Sequence, residues 1–305
     1  MERTQPGLRV GLLLLGVLAT LWGASYSFIK LGVETIPPVT LIAARTLIAG
    51  TLLLGVLRLR GQRLPPALWR RFLVQACLNS VVPFTLIAWA ELTVDAGVAT
   101  ILNSTSPIFA FLLTAAVTRH EPATRRKLFG VVAGMAGVCL IVGVEALGGL
   151  GEAIAAQLAI VAATVCYAGA AVFGRGFGAV DPMLPAAGSM LCGAALLVPA
   201  SLVVDRPWTL EPSATALLAL LALAAFSTAL AFVLYFRLVQ TLGSVATTAQ
   251  AYLRVPVGVF IGVLFLGETP TVTAWIGLAC VVTGAAAMTI PGRAATASCR
   301  VLSRS

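Results

Sequence analysis

The chain has 305 residues, of which 59% are hydrophobic and only 10% are charged, and its mean hydropathy is +1.01. A soluble globular protein is about one quarter charged, so this composition excludes a water-soluble protein and predicts one that crosses a lipid bilayer many times. A membrane-spanning helix needs roughly 20 residues, so ten spans would use about 200 and leave about ten for each connection or tail. That leaves no room for a soluble catalytic or nucleotide-binding domain, and we expect no enzyme activity.

Ten apolar segments follow one another along the chain, separated by prolines, glycines and charged residues. Spans one to five are Val10–Ile29, Val39–Leu57, Phe72–Ala90, Ala96–Val117 and Leu128–Val144. Spans six to ten are Ile154–Gly174, Met183–Val204, Ala214–Phe236, Ser244–Leu266 and Val272–Ile290. Span one has the length of a signal peptide, but Trp22 would occupy position −3 of the cleavage site, where a small residue is expected. We therefore expect span one to remain.

The basic residues indicate an orientation. The formal net charge is +9, from 20 Lys and Arg against 11 Asp and Glu. With the N-terminus in the cytoplasm, 16 of the 20 basic residues fall on the cytoplasmic side, only Lys30 and Arg206 fall outside, and Arg45 and Arg254 lie within spans. Because basic residues collect in cytoplasmic loops, we predict a multi-pass protein with both termini in the cytoplasm. The charge is thus explained by the lipid bilayer, and we expect no nucleic-acid partner.

The first five spans are repeated in the second five. "LWGASYSFIK" near the end of span one matches "CYAGAAVFGR" near the end of span six, and spans four and nine both begin with Val-Ala-Thr and carry a mid-span proline, Pro107 and Pro256. Since each half holds an odd number of spans, the second half enters the membrane upside down relative to the first, as in many secondary transporters. We predict an all-α membrane protein of ten transmembrane helices, arranged as two inverted five-helix repeats around a central cavity. The repeats are residues 1–147 and 148–290, followed by a cytoplasmic tail at 291–305.

The order of these motifs resembles the EamA-type members of the drug/metabolite transporter superfamily. The residues that carry the resemblance are "LWGASYSFIKLG", "PPVTLIAARTLIAG" with Arg45, "AELTVDAGVATILNSTSPIFAFLLTAAV" and "AYLRVPVGVFIGVLFLGE". The resemblance covers nearly the whole chain and implies export of small metabolites across the bacterial inner membrane. The chain departs from the family pattern at His120-Glu121, where the family has Gly-Glu, and in the distances from the two mid-span prolines to the following glutamates, 14 and 12 residues. These offsets leave open which residues of spans four and nine face the cavity.

Two arginines lie inside predicted spans, where a charge is costly and is usually functional or paired. Arg254 is ten residues into span nine, roughly 15 Å along the helix and therefore near the midplane. We predict that it binds an anionic group of the substrate bidentately; the alternative is that it bonds carbonyls freed by Pro256. Arg45 is six residues into span two, and the resemblance implies a structural or gating role for it. The simpler interpretation is that it extends toward the outer surface or pairs with Glu91 or Asp95.

Polar residues of spans four and nine share helical faces. Asn103 and Ser106 are three residues apart, and Thr247, Gln250 and Arg254 follow a three-then-four spacing. Each row adjoins a mid-span proline, where freed backbone carbonyls can coordinate a ligand, and we assign both prolines a structural or gating role. Hydrogen bonds between helices are the alternative for any single residue. For the two faces together we predict a substrate cavity.

Aromatic residues complete the predicted cavity. All four tyrosines fall inside spans, whereas tyrosines that only anchor a protein prefer the membrane interface. Tyr167 and Tyr252 lie too deep for anchors, and Tyr26 lies one turn from Trp22. We predict that the substrate contacts these aromatic side chains together with the polar ones: Arg254, Gln250, Asn103, Ser106, Tyr26, Trp22, Tyr167 and Tyr252.

What the sequence lacks excludes several kinds of chemistry. The single histidine, His120, lies in a loop, and no cysteine pair has metal-ligand or redox spacing, so we predict no metal, cofactor or catalytic residue. No Walker-type glycine-rich loop is present, so the chain itself does not use ATP. Every carboxylate lies at a span end or in a loop, whereas proton-coupled carriers usually keep one inside the membrane. We therefore predict exchange or facilitated efflux.

The function predicted from the sequence is that of an inner-membrane secondary transporter. It exports a small polar metabolite, amino-acid-like or an organic anion, by alternating access of its two halves. Its partners are the small-molecule substrate and the lipid bilayer, and a homodimer is left open. One alternative is a multidrug or toxic-compound efflux carrier, and an alternative from another class is a non-transporting membrane receptor or assembly protein.

Overall fold

The computed structural model describes residues 6–90, 93–94, 102–115, 124–142, 153–178, 180–257 and 272–290. Within these ranges the chain is built from helices without a β-strand, and helical residues fall in all ten predicted spans. Five described helices are long and apolar enough to cross a bilayer: Pro38–Leu59, Ile154–Phe177, Met183–Val204, Ala214–Thr241 and Val272–Thr289. The protein is therefore a multi-pass helical membrane protein.

The described residues of the first half form six helices. Their bounds are Pro6–Val33 (α1), Pro38–Leu59 (α2), Trp69–Ala76 (α3), Val82–Ala90 (α4), Ser106–Leu113 (α5) and Arg125–Val142 (α6). A π-helical segment, Cys77–Val81, joins α3 to α4 without a loop. Span three is therefore one helix with a wide turn in its middle.

The described residues of the second half form six further helices. Its helices are Ile154–Gly174 (α7), Met183–Val204 (α8), Ala214–Ala224 (α9), Ala231–Thr241 (α10), Ser244–Thr248 (α11) and Val272–Thr289 (α12), with a further helical stretch at 250–257. The predicted bounds of spans six and seven are confirmed to the residue by α7 and α8. A second π-helical segment, Ala225–Leu230, joins α9 to α10 in span eight, the counterpart of span three.

Hydrogen bonding of nearby residues explains where the two π-helical segments occur. Pro83 has no N–H to donate to the carbonyl of Asn79, so the α-helical ladder cannot continue through that turn. The N–H of Val82 instead reaches the carbonyl of Cys77, five residues earlier, which is the π-helical spacing. In the second segment the Thr228 hydroxyl donates to the Leu223 carbonyl at 2.7 Å, again five residues earlier. Both segments leave backbone groups available to other helices.

Spans four and nine are both interrupted. The break in span four is a turn at Ser104 and Thr105, directly before α5, whose second residue is Pro107. In span nine the turn is at Ala249, seven residues before Pro256, and Pro256 itself lies within the helical stretch 250–257. A proline therefore marks the break in span four, whereas in span nine it does not.

The helices pair across the two halves. α1 packs against α9 and α10, and α7 packs against α4 and α5, while α2 runs along α8 and α6 along α12. Glycines bring the last pair into backbone contact: a Cβ on Gly137 would stand 2.6 Å from the carbonyl oxygen of Gly277, and one on Gly130 would stand 2.6 Å from that of Gly284. Such small-residue contacts are the usual means of close helix packing in membranes.

A polar cluster ties the start of α2 to the end of α8. The Asp205 carboxylate accepts from both the backbone N–H and the hydroxyl of Thr40, each at 2.8 Å, and the hydroxyls of Thr40 and Ser201 lie 2.8 Å apart. Asp205 therefore satisfies an N–H in the first turn of α2, although it belongs to the other half of the chain. A negative charge at this position also complements the helix dipole.

Replacing Asp205 by alanine is expected to lower the free energy of unfolding by about 1 kcal/mol, the usual value of a helix-capping side chain. Equilibrium unfolding of the purified protein in mixed detergent micelles measures this. Glu211→Ala is the matched control, since Glu211 is an exposed acidic residue of the neighbouring loop. Equal losses in the two variants would contradict a capping role for Asp205.

Candidate functional site

One cavity lies between helices of both halves, with a volume of about 100 Å³. On the same measure a single water needs about 10–15 Å³, so the space suits a small metabolite. The walls come from α1, α2, α4, α5, α7, α9, α10, α11, the first π-helical segment and the stretch 250–257. The lining residues are Trp22, Ser25, Ile29, Val33, Pro38, Leu41, Ile42, Arg45, Asn79, Phe84, Ile87, Asn103, Ser106, Tyr167, Leu223, Phe232, Tyr235, Thr248, Gln250, Ala251 and Arg254.

The cavity extends toward one end of the helices, and a cluster of aromatic rings lies toward the other. It extends to Val33 and Pro38, where α1 ends and α2 begins. Toward the opposite end, four phenylalanines pack ring against ring in the apolar core, and we call them the aromatic plug: Phe72, Phe173, Phe177 and Phe236. The rings of Phe72 and Phe177 are stacked with centroids 5.8 Å apart. The cavity therefore extends toward the α1–α2 connection, and the aromatic plug lies toward the opposite end of the helices.

Arg254 lies in the cavity wall, held by two other predicted site residues. Its Nε donates to Gln250 Oε1 at 2.7 Å, one helical turn earlier, and its Cζ lies 4.9 Å from the centroid of the Trp22 ring. A guanidinium over an indole face gains a cation–π interaction that is stronger where water is excluded. These contacts fix the orientation of the fork that would bind a carboxylate.

Trp22 is also held by residues of the second half of the chain. Its Nε1 donates to the carbonyl of Ser227 at 3.1 Å, a group in the second π-helical segment. Its ring packs against Phe232 and Tyr235, with centroids 5.8 and 5.6 Å away. Trp22 therefore connects α1 to α10 while it presents a face to Arg254.

Arg45 also lines the cavity, and the expectation that it extends to the outer surface is wrong. The residue is 4% exposed. Its Nε donates to the Thr228 hydroxyl at 2.6 Å, its Nη2 lies 3.4 Å from the Ser227 carbonyl, and its Cζ stands 4.4 Å over the Phe84 ring. The second π-helical segment provides the two hydrogen-bond partners, and these bonds offset part of the cost of burying the charge. The other expected partners, Glu91 and Asp95, lie outside the described residues.

The structure brings some of the predicted polar residues of spans four and nine together at the cavity. Asn103, Ser106 and Gln250 line the cavity, and the Ser106 hydroxyl donates to the Asn103 carbonyl at 3.0 Å. Thr247 does not line it; its side chain is buried, and its hydroxyl donates to the Gly243 carbonyl at 2.7 Å. The turn at Ala249 changes the helical phase, so residues before and after it do not continue one face.

The predicted aromatic residues have three different outcomes. Tyr167 lines the cavity, and its ring meets the Phe84 ring edge-on with centroids 6.4 Å apart. Tyr252 lies outside the cavity, fully buried against Gly134, and its hydroxyl donates to the Val131 carbonyl at 3.0 Å. The backbone of Tyr26 is in α1, but its side chain lies outside what the structure describes. We therefore remove Tyr252 from the proposed set.

The structure adds lining residues that the sequence interpretation did not select. The most informative are Asn79, in the first π-helical segment, and Tyr235, in α10. A signal for Asn79 was present in the sequence, since it stands four residues before a mid-span proline. Tyr235 was noted only as one of four tyrosines within spans. In the described part of the chain, no group of three or more His, Cys, Asp or Glu side chains is placed to hold a metal ion.

Comparison with known proteins identifies the family. The EamA-like transporter family model matches residues 9–143 and again residues 154–290. The chain belongs to the EamA-like transporter family. This assignment agrees with an EamA-type member of the drug/metabolite transporter superfamily, and it makes the protein a membrane transporter.

Similar proteins match nearly the whole length of the chain. The uncharacterized inner membrane transporter YedA of Escherichia coli strain K12 is 29% identical over 87% of this chain and 86% of its own. A probable terminal-alkyne amino-acid exporter of Streptantibioticus cattleyicolor is 27% identical over 84% of this chain and 85% of its own. A crystal structure of a protein 22% identical in sequence superposes with a TM-score of 0.77 over 92% of this chain and 96% of that chain, which shows a shared fold.

Proposed function

We propose that this transporter exports a small metabolite with an acidic group, amino-acid-like or an organic anion, across the bacterial inner membrane. The observation that carries the proposal is Arg254, held by Gln250 and stacked on Trp22 in the wall of a cavity built from both halves. An arginine fixed in this way offers a carboxylate two parallel hydrogen bonds. The name of the amino-acid exporter of Streptantibioticus cattleyicolor is consistent with such a substrate.

The proposed architecture is ten transmembrane helices in two inverted five-helix repeats, residues 1–147 and 148–290, with a cytoplasmic tail at 291–305. The pairing of the helices supports it. If the two halves are exchanged, the contact of span one with span eight becomes the contact of span six with span three, and both contacts are observed. The α2–α8 and α6–α12 contacts each join a helix to its own counterpart, so the exchange leaves them unchanged. A π-helical segment in spans three and eight follows the same relation.

Alternating access supplies the mechanism. With both termini in the cytoplasm, the α1–α2 connection lies outside the cell, so the cavity described above would face outward and the aromatic plug would close the cytoplasmic end. The substrate would enter when the plug separates and the outer end closes. Because the sequence places no carboxylate inside a span, exchange or facilitated efflux is proposed instead of coupling to protons.

A counterflow experiment in proteoliposomes tests the proposed function. Purified protein is reconstituted, vesicles are loaded with one unlabelled organic or amino acid, and uptake of the same labelled compound is measured against protein-free vesicles. A carrier concentrates the label transiently, whereas a receptor or assembly protein does not. If no acidic or amino-acid-like compound shows counterflow, the proposal is rejected.

The aromatic walls favour multidrug or toxic-compound efflux as a second candidate. Trp22, Phe84 and Tyr167 would provide planar apolar contacts for larger aromatic compounds. Growth of an overexpressing strain on toxic amino-acid analogues and on aromatic cationic drugs separates the two functions. Resistance to the analogues alone is expected, because a buried arginine repels cationic drugs.

A further inference from the structure

Two polar groups of the cavity wall have no hydrogen-bond partner among the described residues. They are the side-chain nitrogen of Asn79 and the hydroxyl of Tyr235, on residues that are 3% and 4% exposed. A buried polar group without a partner costs roughly 1–3 kcal/mol, and proteins retain few of them. Both residues line the cavity, so a bound ligand can satisfy both groups.

Arg45 is a third group in the same wall with incomplete compensation. Its contacts are the Thr228 hydroxyl, the Ser227 carbonyl and the Phe84 ring, all of which are neutral. A buried cation loses several kcal/mol of hydration, and neutral dipoles replace only part of it. An anion at Arg45 would complete the compensation.

These three groups share one chemical property, since each donates hydrogen bonds. They come from three different elements, α2 for Arg45, the first π-helical segment for Asn79 and α10 for Tyr235, and all three residues line one cavity. Converging donors with a positive charge match the oxygens of a carboxylate. A substrate ammonium group would instead be repelled by the positive charge of Arg45.

The site at Arg254 shares Trp22 with the surroundings of Arg45. Arg254 contacts the face of the Trp22 ring, and Arg45 shares the Ser227 carbonyl with the Nε1 of Trp22. Each of these two arginines in one cavity wall can pair with one acidic group of a ligand. A ligand with an acidic group at each end and an apolar body between them would pair with both.

We propose that Arg45, Asn79 and Tyr235 form a second anion-binding subsite, so that the cavity takes a small compound with two acidic groups, such as an aliphatic dicarboxylate. One carboxylate binds at Arg254 and Gln250, and the other binds at the second subsite. The apolar body lies against Trp22 and Phe84. This inference rests on the proposed function, since it specifies the substrate class of the same cavity.

Binding to the purified full-length protein tests the substrate class. The probes are matched pairs of equal size, namely succinate, glutarate and adipate against their monoamides, with glutamine as a zwitterion, and thermal stabilisation in detergent is measured. At least one dicarboxylate is expected to bind about tenfold more tightly than its monoamide. The inference is overturned if no dicarboxylate binds, or if a monoamide or glutamine binds as tightly.

Tyr235→Phe tests the subsite itself, because it removes only the hydroxyl that has no partner. The dicarboxylate affinity is expected to fall about tenfold while the ligand-free Tm stays equal or rises, since no protein hydrogen bond is lost. Tyr252→Phe is the matched control, because its hydroxyl is bonded to Val131 outside the cavity. The control should lower the Tm and leave the preference for the dicarboxylate unchanged. Equal affinities of Tyr235→Phe and the parent would remove Tyr235 from the subsite.

Different experimental results would reject the second subsite and the proposed transport function. Counterflow of a labelled zwitterionic or monoacidic compound, without dicarboxylate binding, leaves a transporter and overturns the second subsite. Dicarboxylate binding that depends on Tyr235, without counterflow of any compound, leaves the subsite and overturns the transport proposal.

Discussion

Replacing Arg254 by methionine is expected to lower counterflow of an acidic substrate about 100-fold. The substitution keeps an unbranched side chain of similar reach against Trp22 but removes the charge and both donors of the fork. Hydrogen bonds to charged groups contribute roughly 1.5–3 kcal/mol, and each 1.4 kcal/mol is a factor of ten in affinity. Counterflow in proteoliposomes at a substrate concentration below saturation measures the loss.

Two further variants make the Arg254 result specific. Arg254→Lys keeps the charge but not the planar fork, so an intermediate rate is expected. Arg237→Met removes an exposed arginine of α10 and should retain the parent rate. All three proteins should elute as single species with similar Tm. Full transport by Arg254→Met would remove Arg254 from the site.

Gly284→Ala is expected to lower the free energy of unfolding by roughly 2–3 kcal/mol, which is typical of overpacking against groups that cannot rotate away. The new Cβ would stand 2.6 Å from the Gly134 nitrogen and 2.7 Å from the Gly130 carbonyl oxygen. Both are backbone atoms, so α6 and α12 must separate along their whole contact. Unfolding of the reconstituted protein by added SDS measures the change.

Gly55→Ala is the matched control for Gly284→Ala, and its expected sign is opposite. Gly55 is an exposed residue of α2, and a Cβ there would meet no atom within 4 Å. Because alanine is the better helix former, the variant should be more stable by about 0.5–1 kcal/mol. Similar losses in both variants would show that the α6–α12 contact is not specially close.

The sequence predicted helices and depth well, for identifiable reasons. Prolines and charged residues interrupt the apolar runs sharply, so α7 and α8 begin and end where the composition changes. The mid-span position of Arg254 was enough to assign it to a cavity, because few other environments inside a bilayer accommodate a charge. Membership of the EamA-like family followed from the order of the motifs.

Rotation about the helix axis and contacts between distant segments could not be predicted in the same way. Tyr167 and Tyr252 are both deep within spans, yet Tyr167 lines the cavity and Tyr252 packs on Gly134, because Tyr252 lies on the opposite side of its helix from Gln250 and Arg254. The partners of Arg45 are about 180 residues away in sequence, in a π-helical segment that has no nearby proline to indicate it. The position of a residue within a span gives its depth in the membrane but not the residues that it contacts.

The aromatic plug has a consequence for temperature. Separation of Phe72, Phe177 and Phe236 would expose apolar rings to water, and hydration of apolar surface carries a large positive heat capacity. The activation enthalpy of that step must then change with temperature, so an Arrhenius plot of the exchange rate should curve. Toward the other end of the helices, separation of Thr40 from Asp205 would expose polar groups to water. Hydration of polar surface changes the heat capacity by a smaller amount and with the opposite sign. The two ends of the pathway should therefore respond differently to warming, and the slower step of the cycle can change from one end to the other with temperature.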